Sequence, residues 1–227
     1  MERDATPMDL AEYLASRWPN EPALAAASSR GASAKTRGAG AVLGLLDAAI
    51  ELDVEDLVGA ALQVRGFARR AATAQAARDH GTCSATLLVG QGAQKLRGLL
   101  PGARLHVATV AEADGGANPT LAAEALAWLV DSGATLIAVP MGSREREPEL
   151  ERAVAYAAAR GVPVLAARGG PAGEPAWFPA GYPTVRAVAE LSDGEIPVVG
   201  SDGTLSLRGG SSIACVVAAA LAVLGSR

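Results

Sequence analysis

Short apolar runs rich in Val and Leu alternate with longer Ala-rich segments from residue 41 to the C-terminus. The short runs have the length and composition of buried strands, which are predicted at 41–46, 104–110, 135–139, 162–167 and 185–189. The longer segments have apolar residues at helical spacing and predict helices near 81–91, 119–132, 147–160 and 212–224. This alternation predicts an α/β fold in which a mostly parallel sheet carries helices on both faces.

The first 40 residues follow a different pattern. Between Met8 and Trp18, apolar residues recur at helical spacing, which predicts one amphipathic helix docked on the rest of the chain. The segment from Ser28 to Gly40 is rich in Ser, Gly and Ala with scattered Lys and Arg, and is typical of a linker. We therefore divide the chain into an N-terminal helix and linker, 1–40, and one domain, 41–227.

Three turns carry side chains that are suited to catalysis. Asp47 closes the first predicted strand, and ligands of parallel sheets bind outside the carboxyl ends of the strands. His80 lies in the polar run Asp79–Ala85, which leads into an apolar segment. Ser212 lies in Gly209–Ala214, which ends a polar loop and opens the last predicted helix.

Two interpretations of the last turn are open. The free N–H groups and the dipole at a helix N-terminus favour developing negative charge, which suits a serine nucleophile. Ser211 or Ser212 also fits the simpler role of an N-cap residue.

The three side chains have complementary chemistry. A serine hydroxyl such as that of Ser212 is a poor nucleophile until a base removes its proton. His80 is the natural base because the pKa of histidine lies near neutrality. Asp47 would hold the imidazole in the useful tautomer and stabilise its charged form. The other histidine of the chain, His106, lies inside a predicted strand and is expected to be structural.

In chain order, Asp47, His80 and Ser212 resemble the triad of the subtilisin-like serine proteases, whose motifs are V-x-V-I-D, H-G-T-H and G-T-S-M-A. Four segments between and around these motifs also resemble that family: 98–105, 133–143, 159–167 and 179–185. The resemblance covers the chain from about Ala41 onward. It implies a subtilisin-like three-layer fold, with 41–227 as a catalytic-type domain.

The resemblance also implies further site residues. The strand 133–143 corresponds to the family's substrate-side strand, and the residues expected to bind substrate are Val139, Pro140, Met141, Gly142 and Gly98. Pro140 stands where the family has Ser, which removes one backbone N–H that would pair with an extended peptide.

One departure concerns the oxyanion hole, for which the expected residues are Gly170 and Ser212. Gly170 stands where the family has an Asn whose side chain donates to the oxyanion. Loss of such a donor lowers turnover by about 10²–10³. The remaining candidate donors are the backbone N–H of Ser212, the side chain of Arg168, and a neighbouring backbone amide.

Composition and charge limit the partners and the cellular compartment that are expected for this protein. The chain has 227 residues and a formal net charge of −4, without the basic stripe that nucleic acid requires, so no nucleic-acid partner is expected. No apolar run approaches the roughly 20 residues of a membrane span, and we expect a cytoplasmic protein. Cys83 and Cys215 are expected to be buried free thiols. The oligomeric state is left open.

No metal or other cofactor is expected, since Asp and Asn do not cluster with the spacing of a calcium loop. Asp53, Glu55 and Asp56 are predicted to form a solvated helix start.

Three functions fit the sequence. The first is a subtilisin-like serine endopeptidase that cleaves a peptide or protein substrate, such as a precursor peptide, through an acyl-enzyme. The second is a catalytically weak or inactive binding or scaffold protein of the same fold, which the absent Asn at Gly170 favours. The third is an acyl-transfer enzyme, in which an amine replaces water.

Overall fold

The computed structural model describes residues 6–29, 36–68, 73–112, 118–171, 173–190, 196–200, 202 and 204–226. At its centre is a sheet of six parallel strands: β2 (Val42–Asp47), β3 (Ala61–Gly66), β5 (Arg104–Thr109), β6 (Leu136–Val139), β7 (Val164–Ala167) and β8 (Val185–Val188). Their order across the sheet is β3-β5-β2-β6-β7-β8.

Four short strands lie outside the central sheet. Two form a small parallel pair, β1 (Met8–Asp9) with β4 (Leu96–Arg97), and two form an antiparallel hairpin, β9 (Ile196–Val199) with β10 (Leu205–Arg208). The helices are α1 (Leu10–Arg17), α2 (Pro22–Ser29), α3 (Gln75–Val89), α4 (Pro119–Asp131), α5 (Pro148–Ala159) and α6 (Ser211–Gly225).

The helices cover the sheet on both faces, and the pleat of β2 shows how. Leu43 and Leu45 pack in a cluster with residues of α1, α2, α3 and α6. Leu46 points to the opposite face and packs with residues of α4 and α5. Successive side chains of a strand point to opposite faces, so a central strand that is buried on both faces becomes continuously apolar. This explains why the strand was predictable from its composition.

The five predicted strands and four predicted helices are all present in the structure, with boundaries shifted by a few residues at most sites and by six at the start of α3. Other elements were not predicted from the sequence: the edge strand β3, the β1–β4 pair, the β9–β10 hairpin and α2. Most side chains of β3 are exposed because the strand forms one edge of the sheet. It therefore lacks the apolar run that marks the buried strands.

The N-terminal helix α1 packs on the main core through buried Leu10 and Leu14. Asp9 caps it by accepting a hydrogen bond from the N–H of Ala11 at 3.0 Å. The same carboxylate pairs with Arg37 at 2.8 Å, and the Arg37 side chain also donates to the carbonyl of Leu99 at 3.1 Å. Part of the predicted linker, residues 30–35, lies outside the described residues, whereas Arg37 in its last turn is buried.

Asp56 is not the solvated residue that its sequence context predicts. It is 2% exposed, and its carboxylate accepts hydrogen bonds from the backbone N–H groups of Gln94, Lys95 and Leu96 at 2.8–3.1 Å. The sequence pattern could not show this, because the three donors lie about forty positions along the chain and only the fold brings them together. Asp56 therefore joins the segment after β2 to the segment before β4.

The start of α3 lies directly against the chain that follows β2. A Cβ atom on Gly81 would overlap the carbonyl oxygen of Ala49. One residue further, the Thr82 hydroxyl accepts a hydrogen bond from the N–H of Glu51 at 2.9 Å. A glycine at 81 is therefore required by the close approach of the helix to this segment.

Asp56→Ala should lower the free energy of unfolding by about 2–4 kcal/mol, because buried N–H donors left without an acceptor cost about 1–3 kcal/mol each. Urea unfolding followed by circular dichroism measures this change. The matched control is Asp53→Ala, at a nearby exposed residue, which should change stability by no more than about 0.5 kcal/mol. Equal effects of the two substitutions would contradict the structural role of Asp56.

Gly81→Ala should also destabilise the protein. Alanine is favoured over glycine in a helix by about 1 kcal/mol, but overpacking costs about 1–3 kcal/mol and sometimes more, and the obstacle here is backbone. We expect the clash to dominate in the same urea assay. Gly225→Ala, in the last turn of α6, is the control, because its added Cβ would lie 4.0 Å from the Cβ of Ala23. A stable Gly81→Ala protein would show that α3 can shift away.

Candidate active site

Asp47 lies at the carboxyl end of β2, between the neighbouring strands β5 and β6, and its side chain is fully buried. Its Oδ1 accepts a hydrogen bond from the N–H of Ala48 at 2.6 Å and lies 2.6 Å from Nδ1 of His80. Its Oδ2 is buried and has no hydrogen-bond partner within the described part of the chain. The strand therefore ends in a carboxylate whose side-chain partner is the imidazole of His80.

His80 lies in the second turn of α3, and its side chain is 35% exposed, so one edge of the imidazole reaches solvent. The Asp47 carboxylate raises the pKa of His80 above its usual 6.5, while burial and the positive charge of Arg208 act in the opposite direction. With Nδ1 donating to Asp47, Nε2 is the nitrogen that can accept a proton.

The start of α6 distinguishes between the two interpretations of its serines. The N-cap residue is Gly210, with φ +92°, and no side chain caps the helix. Ser211 and Ser212 are the first two helical residues, so the N-cap interpretation is wrong for both. The Ser211 hydroxyl accepts a hydrogen bond from the N–H of Gly169 at 3.3 Å.

Ser212 is partly exposed on the first turn of α6, a helix that packs against α3. Across the described residues, no hydrogen bond joins its hydroxyl to His80 or to another group. The structure thus places Asp47 and His80 in direct contact and Ser212 on the neighbouring helix. In the absence of substrate, contacts between a nucleophile and its base are often longer than a hydrogen bond.

The loop after β7 contains the expected oxyanion-hole position, Gly170. Gly169 and Gly170 have φ values of +60° and +66°, a left-handed conformation that favours glycine. A Cβ atom on Gly170 would lie 2.8 Å from Nε1 of Trp177, so the indole fills the space of the missing side chain. Trp177 is a residue that the sequence pattern did not single out.

An apolar pocket with a volume of about 290 Å³ lies beside the end of β2. Three expected substrate-binding residues, Val139, Met141 and Gly142, line it, and Pro140 joins the first two along the chain. Its other lining residues, which the sequence did not predict, are Leu46, Pro119, Ala122, Ser143, Glu145, Glu147, Leu150, Phe178 and Pro179.

Gly98 does not line this pocket. It is buried, its N–H donates to the carbonyl of Gly90 at 2.9 Å, and its own carbonyl accepts from Arg37 at 3.1 Å. A buried backbone position bonded on both sides is not available to a ligand. We therefore do not retain Gly98 as a substrate-binding residue.

His106 is a structural residue, as its place in a strand predicted. It is 3% exposed, and its Nδ1 lies 2.9 Å from the Ser132 hydroxyl. Burial lowers its pKa, and the charge of Arg104 adds to that effect.

Both cysteines are buried free thiols, as expected. Burial raises the pKa of Cys83 to about 11 and that of Cys215 to about 12. Thiols with such high pKa values are poor nucleophiles, because the thiolate is the reactive form.

Within the described ranges, no group of three or more His, Cys, Asp or Glu side chains could hold a metal ion. The same residues include no helix with the length and hydropathy needed to cross a membrane.

Comparison with characterised proteins gives several relatives, although no protein-family profile matches the chain. Thermitase of Thermoactinomyces vulgaris is 27% identical over 160 residues, which are 70% of this chain and 57% of that protein. Subtilisin BL of Lederbergia lenta is 29% identical over 155 residues, which are 66% of this chain and 55% of that protein. The chain thus spans little more than half of these relatives.

Solved structures show the same fold. A mutant of the protease domain of PatA superposes with a TM-score of 0.77 and 22% identity, covering 85% of this chain and 81% of that one. The prenylagaramide maturation protease PagA superposes with a TM-score of 0.73 and 23% identity, covering 84% of this chain and 77% of that one. The PatG macrocyclase in complex with peptide superposes with a TM-score of 0.76 and 14% identity, covering 93% of this chain and 81% of that one.

The six-stranded parallel sheet with helices on both faces agrees with these neighbours and defines a three-layer α/β fold of the subtilisin type. The sequence relatives are serine proteases of the same type. The chain therefore has the subtilisin fold and is similar in sequence, at 27–29% identity, to subtilisin-like serine proteases.

Proposed function

We propose that the protein is a subtilisin-type serine endopeptidase that works through an Asp47, His80 and Ser212 triad. The observation that carries this proposal is the 2.6 Å contact between a fully buried carboxylate and a partly exposed imidazole at the carboxyl end of a central strand. A carboxylate–imidazole contact held in this way is typical of catalytic sites, where a buried charge tunes the basicity of a histidine. Ser212 lies in the first turn of α6, which packs against α3, the helix that carries His80.

The proposed reaction has two steps. First, the Ser212 hydroxyl oxygen attacks a peptide carbonyl carbon while Nε2 of His80 takes its proton, and the imidazolium then gives that proton to the leaving amine. This step forms the acyl-enzyme. Second, water attacks the ester with His80 again as base, which releases the acid and restores the serine. Asp47 stabilises the imidazolium in both steps and is not itself protonated.

The helix that carries Ser212 supports the chemistry electrostatically. The first N–H groups of α6 have no partner within the helix, and its dipole places partial positive charge at this end. Because Gly210 provides no side-chain cap, these donors remain available to an oxyanion. The backbone N–H of Ser212 is one of them.

A peptide with an apolar side chain is the proposed substrate. The apolar pocket is lined by Leu46, Val139, Met141 and Phe178, and Leu46 directly precedes Asp47 in the chain. An apolar side chain of the peptide would be buried in this pocket. Two proteins of the same fold, PatA and PagA, are described as maturation proteases. By analogy, we propose a precursor peptide as the substrate class.

A second candidate function is a binding or scaffold protein with little catalytic activity. Gly170 favours it, because this position provides no side-chain donor for an oxyanion. Acyl transfer to an amine is a variant of the first function, and the PatG macrocyclase has the same fold. The product distinguishes the two reactions, because hydrolysis of the acyl-enzyme gives a carboxylic acid and transfer to an amine gives an amide.

Incubation with a fluorophosphonate should give one phosphonyl adduct on the natural protein and none on Ser212→Ala, measured by intact mass. The reagent marks a serine only when a neighbouring base activates it. Ser211→Ala, at the adjacent residue, is the matched control and should still form the adduct. An adduct that survives in Ser212→Ala would assign the nucleophile elsewhere. The absence of any adduct on folded natural protein would favour the binding function.

The rate of this labelling should fall as the pH drops through the pKa of His80, because only the neutral imidazole accepts the serine proton. Asp47 raises that pKa, so the midpoint of the profile should lie above 6.5. Asp47→Asn should move the midpoint to lower pH and slow the reaction by about 10⁴-fold. Arg208→Gln should move it to higher pH, since Arg208 lowers the same pKa. Midpoints that do not move in opposite directions would contradict the assignment of His80 as base.

A further inference from the structure

The loop after β7 lacks the side-chain amide that the family places at the oxyanion hole, and the residue in that position is Gly170. The loop nevertheless lies against the start of α6, because the N–H of Gly169 donates to the Ser211 hydroxyl at 3.3 Å. A donor supplied by this loop would therefore be next to the nucleophile. Two side chains of the loop carry N–H groups that could take this role, those of Arg168 and Trp177.

The side chain of Arg168 is already committed to the loop itself. Its guanidinium donates to the carbonyl of Gly169 at 3.2 Å and to that of Pro171 at 3.1 Å. It also donates to the carbonyl of Glu174. These three bonds hold the loop in its turn. The guanidinium of Arg168 is thus oriented toward the carbonyls of its own loop.

Trp177 lies across both glycines. Its backbone N–H donates to the carbonyl of Arg168 at 2.8 Å, which fixes the residue beside the loop. A Cβ atom on Gly169 would lie 2.9 Å from the six-membered ring, and one on Gly170 would lie 2.8 Å from Nε1. The nitrogen of the indole therefore occupies the place of a side chain at position 170.

The indole N–H is a hydrogen-bond donor only, and it usually finds a partner when the ring is partly buried. Within the described residues, Nε1 of Trp177 makes no hydrogen bond. The Arg144 guanidinium lies 5.5 Å from the centroid of the ring and helps to hold it in place. A positioned donor without an internal partner is what an oxyanion hole requires.

We propose that the indole N–H of Trp177 replaces the missing amide as the side-chain donor of the oxyanion hole. The proposal rests on the proposed function. When the Ser212 oxygen bonds to the carbonyl carbon, the carbonyl π electrons move onto its oxygen, and this oxygen accepts hydrogen bonds from Trp177 Nε1–H and from the Ser212 backbone N–H. No proton is transferred to the oxyanion. Trp177 is then a catalytic residue, and the two glycines make room for its ring.

Trp177→Phe tests this proposal, because phenylalanine keeps an aromatic ring against the glycines and removes the N–H. The second-order rate of fluorophosphonate labelling at Ser212 should fall by about 10²–10³, the usual effect of losing one oxyanion donor. With a peptide substrate, kcat should fall while KM changes little, since the donor acts on the transition state. The midpoint of the pH profile should not move, because His80 is unchanged.

Trp128→Phe is the matched control, as Trp128 packs with Phe67 and His106. It should label at the natural rate. A Trp177→Phe protein that is folded and also labels at the natural rate would overturn the role of Trp177 and leave the proposed function intact. Natural protein that forms no adduct would overturn both.

A second measurement does not depend on the folding of Trp177→Phe. The chain has three tryptophans, so the double variant Trp18→Phe/Trp128→Phe has a single indole N–H resonance, that of Trp177. Phosphonylation of Ser212 should shift this resonance downfield, because the phosphonyl oxygen becomes its acceptor. A resonance that does not move upon complete labelling would overturn the proposal.

Discussion

The contact between the Asp47 carboxylate and the His80 imidazole is the interaction on which the rest of the site depends. A buried carboxylate is costly unless an opposite charge or hydrogen bonds compensate it, and here one oxygen receives both the imidazole and a backbone N–H. The pair forms only because α3 approaches the chain after β2 without an intervening side chain. Gly81 permits that approach, and Thr82 bonds across it. The segment His80–Gly81–Thr82 thus holds α3 against the chain after β2 and also carries the imidazole that contacts Asp47.

The opposite wall of the site is built from small residues for a similar reason. The first turn of α6 begins after a left-handed glycine, so its N–H groups are left free and the serines are helical rather than capping. The loop after β7 comes close enough to bond Ser211, and its two glycines leave space that Trp177 fills. The indole of Trp177 occupies the volume that a side chain at position 170 would take. Sequence divergence at Gly170 therefore need not mean an empty site.

Distant parts of the chain stabilise this arrangement without taking part in it. Asp56 binds three backbone N–H groups of the segment before β4, and Arg37 joins α1 to the same region. Both are buried charged residues whose side chains are paired or hydrogen-bonded, which is the condition under which buried charge is tolerated. Asp56 thus joins the segment after β2 to the segment before β4, and Arg37 joins the start of α1 to residues 98–99.

The sequence by itself determined the strands buried on both faces, the main helices and the segments that carry Asp47, His80 and Ser212, of which the structure brings the first two into contact. It could do so because burial on two faces and helical periodicity are local patterns, and because the three motifs are short. Only the tertiary structure decided that Asp56 is buried, that Gly98 is not part of the pocket, that neither serine caps α6, and that Trp177 covers Gly170. Each of these depends on groups that are separated along the chain or on a backbone turn that composition does not specify. Such contacts form only when the whole chain has folded, because the residues that meet are far apart in the sequence.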